Sequence, residues 1–147
     1  MPSTLHVLAR TVIHDGDWFL LAQTQGASNT FLPGGHNEIG EGLPETLKRE
    51  LLEECGLEVS VERYLGVVEH EWHGTDGITN FEICHLFRVT SPLLTKEQTV
   101  TSTESHLHFE WVHVSQLAAR ALKPPPLIEL LTRNDSSAAW YGSSLHH

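Results

Sequence analysis

The chain has 147 residues, 39% of them hydrophobic, which suits one domain with a core of its own. Its formal net charge is −10, and an acidic surface repels phosphate backbones. That excludes an extended nucleic-acid footprint but not a small phosphorylated ligand reconciled with acidic residues by a cation.

Residues 5–14, LHVLARTVIH, read as a strand, DGD (15–17) as a turn, and WFLLAQT (18–24) as a second strand, together a hairpin. QGASN (25–29) is a loop, and FLPGG (31–35) a short strand closing on a glycine turn. The period then changes from two to about 3.6. Pro44 suits the first helical position and Glu45 the first turn; Leu47, Leu51 and Cys55 recur every four residues as a buried stripe; Gly56 is the stop, with Leu57 as its cap contact. One or two strands follow at 58–72, then one each at 78–90 and 106–114, the last two separated by a polar loop at 91–105. In the last strand Leu107, Phe109 and Trp111 alternate with His106, His108 and Glu110. Residues 115–122 read as a serine-capped helix and 123–133 as a proline-started one. The order implies an α/β chain: a mixed sheet with helices packed on it. Residues 1–133 are read as one domain and 134–147 as a flexible tail whose two closing histidines look like an appended remnant.

Cys55 and Cys84 lack a Cys-x-x-Cys spacing and read as reduced packing residues. The opening residues lack the pattern of a secretion signal, and no apolar run is long enough to span a bilayer. The expectation is a cytoplasmic protein with no membrane segment.

The informative stretch is RELLEECGL (49–57), which crowds Glu50, Glu53 and Glu54 onto one helix. At about 100° per residue, the three fall within an arc of roughly 100° beside the apolar stripe. Like charges four residues apart repel. Either this is a solvated acidic face, or it is a site for a hard divalent cation with oxygen ligands. The flanks decide between them. From Gly35 the sequence runs five residues to Glu41, seven more to Arg49-Glu50-Leu51, one to Glu53-Glu54, and one to Gly56-Leu57. This resembles the Nudix box, Gx5Ex7REUxEExGU with U aliphatic, at every constrained position across residues 35–57.

The resemblance to Nudix hydrolases implies their fold, an α/β/α sandwich with a central mixed β-sheet. It implies cleavage of a pyrophosphate bond in a nucleoside diphosphate linked to another moiety: a nucleoside triphosphate, nucleotide sugar, ADP-ribose or dinucleoside polyphosphate. By matching position Glu50, Glu53 and Glu54 hold magnesium or manganese, two or more ions during turnover, with a backbone carbonyl of Gly34–Gly35 completing the shell. Glu41 and Arg49 brace the carboxylates. The family varies its general base; Glu110 is preferred over Glu104, with Glu53 of the box as the further candidate. Glu82 is a weaker one.

Around the box, Trp72 and Phe31, with Trp18 and Phe81, offer aromatic faces for the leaving moiety. Arg10, Arg63 and Arg88 are the cations available for phosphates. Spacings within 70–73 and 106–113 could make a zinc site from some of the eleven histidines, but the oxygen chemistry of the glutamates leaves zinc without a task. Alternative activities are RNA 5′-end pyrophosphate removal, isoprenyl diphosphate isomerisation and non-catalytic nucleotide sensing. Sensors commonly lose box carboxylates, and this chain keeps them all. A homodimer is an open expectation.

Overall fold

Alternation along STLHVLARTV sends Leu8 and Val12 to one side of a strand and Ala9 to the other, and all three are buried. A strand buried on both faces belongs at the centre of a layered fold. This strand, β1 (Ser3–Val12), lies in a five-stranded sheet of a computed structural model that describes residues 2–145. Its companions are β4 (Gly34–His36), β5 (Ser60–His73), β6 (Thr79–Thr90) and β8 (Trp140–Ser143), in the order β4-β1-β6-β5-β8. The sheet is mixed: β1 runs parallel to β6 and β5 to β8, while β1–β4 and β5–β6 are antiparallel. A second sheet, β2-β3-β7, is antiparallel and comprises His14–Asp15, Trp18–Thr24 and Leu107–His113.

Two helices sandwich the main sheet. Helix α1 (Leu43–Cys55) buries Leu47 and Leu51 against Ala9, Ile13, Phe87 and Val89 on one face. Helix α2 (Pro126–Arg133) buries Leu127, Leu130 and Leu131 against Leu8, Val12, Val68 and Leu86 on the other. The α/β/α sandwich read from the sequence is thus observed.

Four local expectations are corrected. The short strand expected at 31–35 is instead Gly34–His36, because the glycines themselves pair with β1 while Phe31 makes only an isolated bridge to Ala22. The hairpin at 5–24 is confined to β2 and β3, because β1 leaves at Ile13 to pair with β6 along its whole length. The helix expected at 115–122 is a short 3-10 turn, Val114–Gln116, followed by irregular turns. Leu117 and Leu122 both enter the core, and five residues of α-helix would set them about 140° apart. The tail is not loose at Trp140–Ser143, where β8 adds to the sheet edge and Trp140 is buried, its indole N–H donating to the Asp135 carbonyl at 2.6 Å. Gly66 permits this pairing: a Cβ there would stand 2.0 Å from the Trp140 carbonyl oxygen. The two closing histidines lie outside the described residues. Among the described residues no helix is long and apolar enough to cross a membrane.

Candidate active site

Helix α1 begins with proline in its first turn and ends at Gly56, whose left-handed φ of 67° lets its N–H cap the Leu52 carbonyl at 3.0 Å. These ends and the leucine stripe fix the rotation of the helix. Glu54 is consequently carried into the protein, 8% exposed, while Glu53 stays outside and Glu50 lies between them.

The loop before the helix is tied to it by a polar knot. Arg49 donates from Nε to Glu41 Oε2 at 2.7 Å and from Nη2 to Glu41 Oε1 and the His36 carbonyl at 3.0 Å each. Its Nη1 reaches Glu50 at 3.0 Å and Glu53 at 3.4 Å. The guanidinium holds the Glu41 carboxyl down at about 2. Thr46 donates to Glu41 at 2.6 Å, and Asn37 donates to both the Thr46 hydroxyl and the Glu41 carbonyl at 2.9 Å. Sequence reasoning missed Thr46 and Asn37; for Thr46 a polar residue at a buried helical position was the available signal.

Both glycines are required where they stand. A Cβ on Gly34 would lie 2.2 Å from the Ala9 carbonyl oxygen, blocking the β1–β4 pairing. A Cβ on Gly35 would lie 2.6 Å from the Glu50 carboxyl carbon, so the missing side chain is what lets Glu50 approach this backbone.

Burial first, and then the neighbouring Glu50 carboxylate, push the Glu54 carboxyl up to about 8. Its Oε2 is buried with no hydrogen-bond partner. An orphaned buried carboxylate oxygen beside a second carboxylate is costly unless a proton or a cation joins it. The all-oxygen donor set suits a hard divalent cation. Among the described residues no three His, Cys, Asp or Glu side chains converge as a finished metal cage, since Glu50 and Glu53 both lean toward Arg49. The fit therefore rests on donor chemistry and on Glu54.

The polar loop at 91–105 closes over the end of α1. Thr103 donates its N–H to the Glu54 carbonyl at 2.8 Å and its hydroxyl to the Glu53 carbonyl, satisfying helix-end acceptors that have no partner within the helix. Glu104 follows directly in the chain, and its negative charge adds a small upward push on the Glu54 carboxyl. Ser102 accepts from the Glu104 N–H at 3.0 Å, and His106 lies 3.2 Å from the Glu104 carboxylate. Glu110, in contrast, lies on β7 in an ion pair with Arg120, whose Nε is 2.6 Å away.

A cleft of about 770 Å³ opens on the α2 side of the main sheet. Arg10, Phe31 and Trp72, picked from sequence on chemical type, all line it. The Arg10 guanidinium lies 5.1 Å from the centre of the Phe31 ring and donates to the Leu32 carbonyl at 2.8 Å. The charge of Arg10 also partly offsets the upward shift of the Glu54 carboxyl. Trp18 and Phe81 are not in its wall. Lys123, Glu82 and Ser144 are, and Ser144 comes from the segment read as a tail.

A family model, the NUDIX domain, matches residues 4–133, and the chain belongs to that family. Nudix hydrolases act on pyrophosphates of small nucleotides, generally with divalent metals. Among solved structures, the E. coli ORF135 protein is 25% identical, with 86% of each chain covered and a TM-score of 0.60. A MutT protein of Bacillus halodurans is 20% identical over 94% of this chain and 88% of its own, with a TM-score of 0.68. An ADP-ribose pyrophosphatase of Streptococcus suis is 17% identical over 96% and 100%, with a TM-score of 0.60. The last two likenesses concern the fold. No curated protein matches the chain.

Proposed function

We propose that this chain is a divalent-cation-dependent pyrophosphohydrolase that splits a pyrophosphate link in a nucleoside diphosphate joined to another moiety, by attack of water on phosphorus. The observation that carries the reading is Glu54, a buried carboxylate with an orphaned oxygen beside Glu50, whose charge is countered by Arg10, a residue that also lines the cleft. Glu50, Glu53 and Glu54 would hold magnesium or manganese, with a carbonyl of Gly34 or Gly35 as a further donor. Bound there, such ions supply charge neutralisation on the phosphate oxygens and a more acidic water.

The remaining work falls to the chain's own groups. Arg49, anchored by Glu41, orients Glu50 and Glu53. Arg10 offers positive charge in the cleft for the phosphates. In this reading Glu104 takes the proton of the attacking water as the new oxygen–phosphorus bond forms and the bridging bond breaks. The loop contacts of Thr103 support Glu104 over Glu110, whose carboxylate is engaged by Arg120. Retention of every box carboxylate argues against a sensing module. A cytoplasmic setting fits the two buried free thiols, pushed up to about 11 at Cys55 and about 12 at Cys84 by burial.

The test is a panel of nucleoside triphosphates, nucleotide sugars, ADP-ribose, dinucleoside polyphosphates and 5′-triphosphorylated RNA, scored for phosphate release after phosphatase coupling. Hydrolysis of at least one small nucleotide, abolished by chelator, is the expected result. A panel inert with both magnesium and manganese would move the sensing reading ahead.

A further inference from the structure

The cleft wall contains a carboxylate that the hydrolytic chemistry does not use. Glu82 on β6 lines the cleft. The β5–β6 register sets it opposite His70, and sets Trp72 opposite Asn80, so Trp72 and Glu82 are diagonal neighbours on one face. The Trp72 indole N–H donates to Glu82 Oε2 at 2.8 Å. Among the described residues Glu82 has no ion-pair partner and accepts no other hydrogen bond from a side chain. Trp72 stays 40% exposed, with its ring at the cleft.

An ionised carboxylate only accepts, and it has about four lone-pair sites, of which the indole takes one. A ligand reaching Glu82 must therefore donate. The cations of the cleft, Arg10 and Lys123, suit the phosphates of the same ligand. Trp72 supplies a face on which a planar ring can stack.

We infer that Trp72 and Glu82 form a base-reading pair that selects guanine nucleotides; this rests on the pyrophosphohydrolase reading for the rest of the site. The choice of base follows from donor patterns. Guanine presents a ring N–H and an adjacent amino group, two parallel donors that match the two oxygens of a carboxylate. Adenine and cytosine set a ring nitrogen lone pair beside their amino group, which would face the second oxygen. Uracil flanks its single N–H with carbonyls. A site built around a buried or half-buried acceptor rejects ligands lacking the matching donor more strongly than shape alone would.

The test measures kcat/KM with magnesium for GTP, ITP, ATP and UTP, and separately the calorimetric binding of GDP and IDP. Hypoxanthine differs from guanine by the amino group, so each GTP/ITP and GDP/IDP ratio reports on one donor. Wild type is expected to favour guanine by about 10- to 100-fold, carried by KM. Glu82→Gln keeps the size and an acceptor for Trp72 but faces the ligand with an amide, and should bring both ratios to near one. Trp72→Phe keeps the stack and loses the N–H; GDP should bind severalfold more weakly with guanine still ahead. A wild-type preference for adenine or uracil, or a GDP/IDP ratio unmoved by Glu82→Gln, overturns the inference. A preserved GDP/IDP ratio without any hydrolysis would sink the pyrophosphohydrolase reading while leaving the base-reading pair intact.

Discussion

Glu104 and Glu110 are both acidic, both half-exposed and only six residues apart, yet their surroundings differ in kind. Glu104 follows the two residues that hydrogen-bond the end of α1, and its charge acts on Glu54. Glu110 is an ion-pair anchor for Arg120, which also reaches Gln23. Removing a general base typically costs 10²- to 10⁴-fold, so Glu104→Gln is expected to lower kcat by about 10²-fold or more with KM little changed. Glu110→Gln should leave kcat within about threefold and lower the melting temperature instead. Steady-state kinetics with thermal melts on both variants checks this; the opposite pattern would return the role to Glu110. The box glutamates were legible in the sequence because helical angles and fixed spacings are local properties. The choice between Glu104 and Glu110 was not, because Thr103 meets Glu53 across fifty residues of chain.

The extent of α1 was equally legible. Pro44, the leucine stripe and Gly56 act within the element, and its observed bounds follow from them. Where elements had to choose partners, local pattern failed. Residues 5–14 and 18–24 looked like one hairpin, but β1 gains a full-length parallel neighbour in β6 that no turn signal announces. Residues 115–122 carried helix-forming alanines, but the two leucines that must be buried do not share an α-helical face. Arg49 is the element's working joint: one planar fork joins the loop at Glu41 and His36 to the helix at Glu50. Lysine keeps the charge and loses the fork. Arg49→Lys is therefore expected to weaken magnesium activation by about 10- to 100-fold, read as a shift in the magnesium concentration for half-maximal rate. An unshifted midpoint would mean that the guanidinium does not orient the carboxylates.

At the scale of the whole molecule, the cleft is assembled from segments far apart in sequence: Arg10 from β1, Phe31 before β4, Trp72 from β5, Glu82 from β6 and Ser144 after β8. Chemical type alone singled out Arg10, Phe31 and Trp72. Ser144 was unreadable, because a short Ser- and Gly-rich stretch gains its strand only from the sheet edge that Gly66 leaves open. Burial and the neighbouring carboxylates favour the protonated form of Glu54, and that proton is the handle for testing the site. Its carboxyl is raised from an ordinary 4.5 to about 8, so the cation-free folded protein binds a proton that the unfolded chain releases above about 4.5. The contribution of Glu54 to the stability of the chelated protein is thus fully present below that value and is lost as pH rises toward 8. A cation must displace the same proton, so its affinity should climb with pH over this range and level off above about 8. The most direct measurement is a manganese titration followed by electron paramagnetic resonance at pH 6 and pH 9, on wild type and Glu54→Gln. Wild type should bind manganese more tightly at pH 9, and Glu54→Gln should bind it weakly with little pH dependence. Equal binding by the two proteins at both pH values would contradict a cation site built on the glutamates of α1.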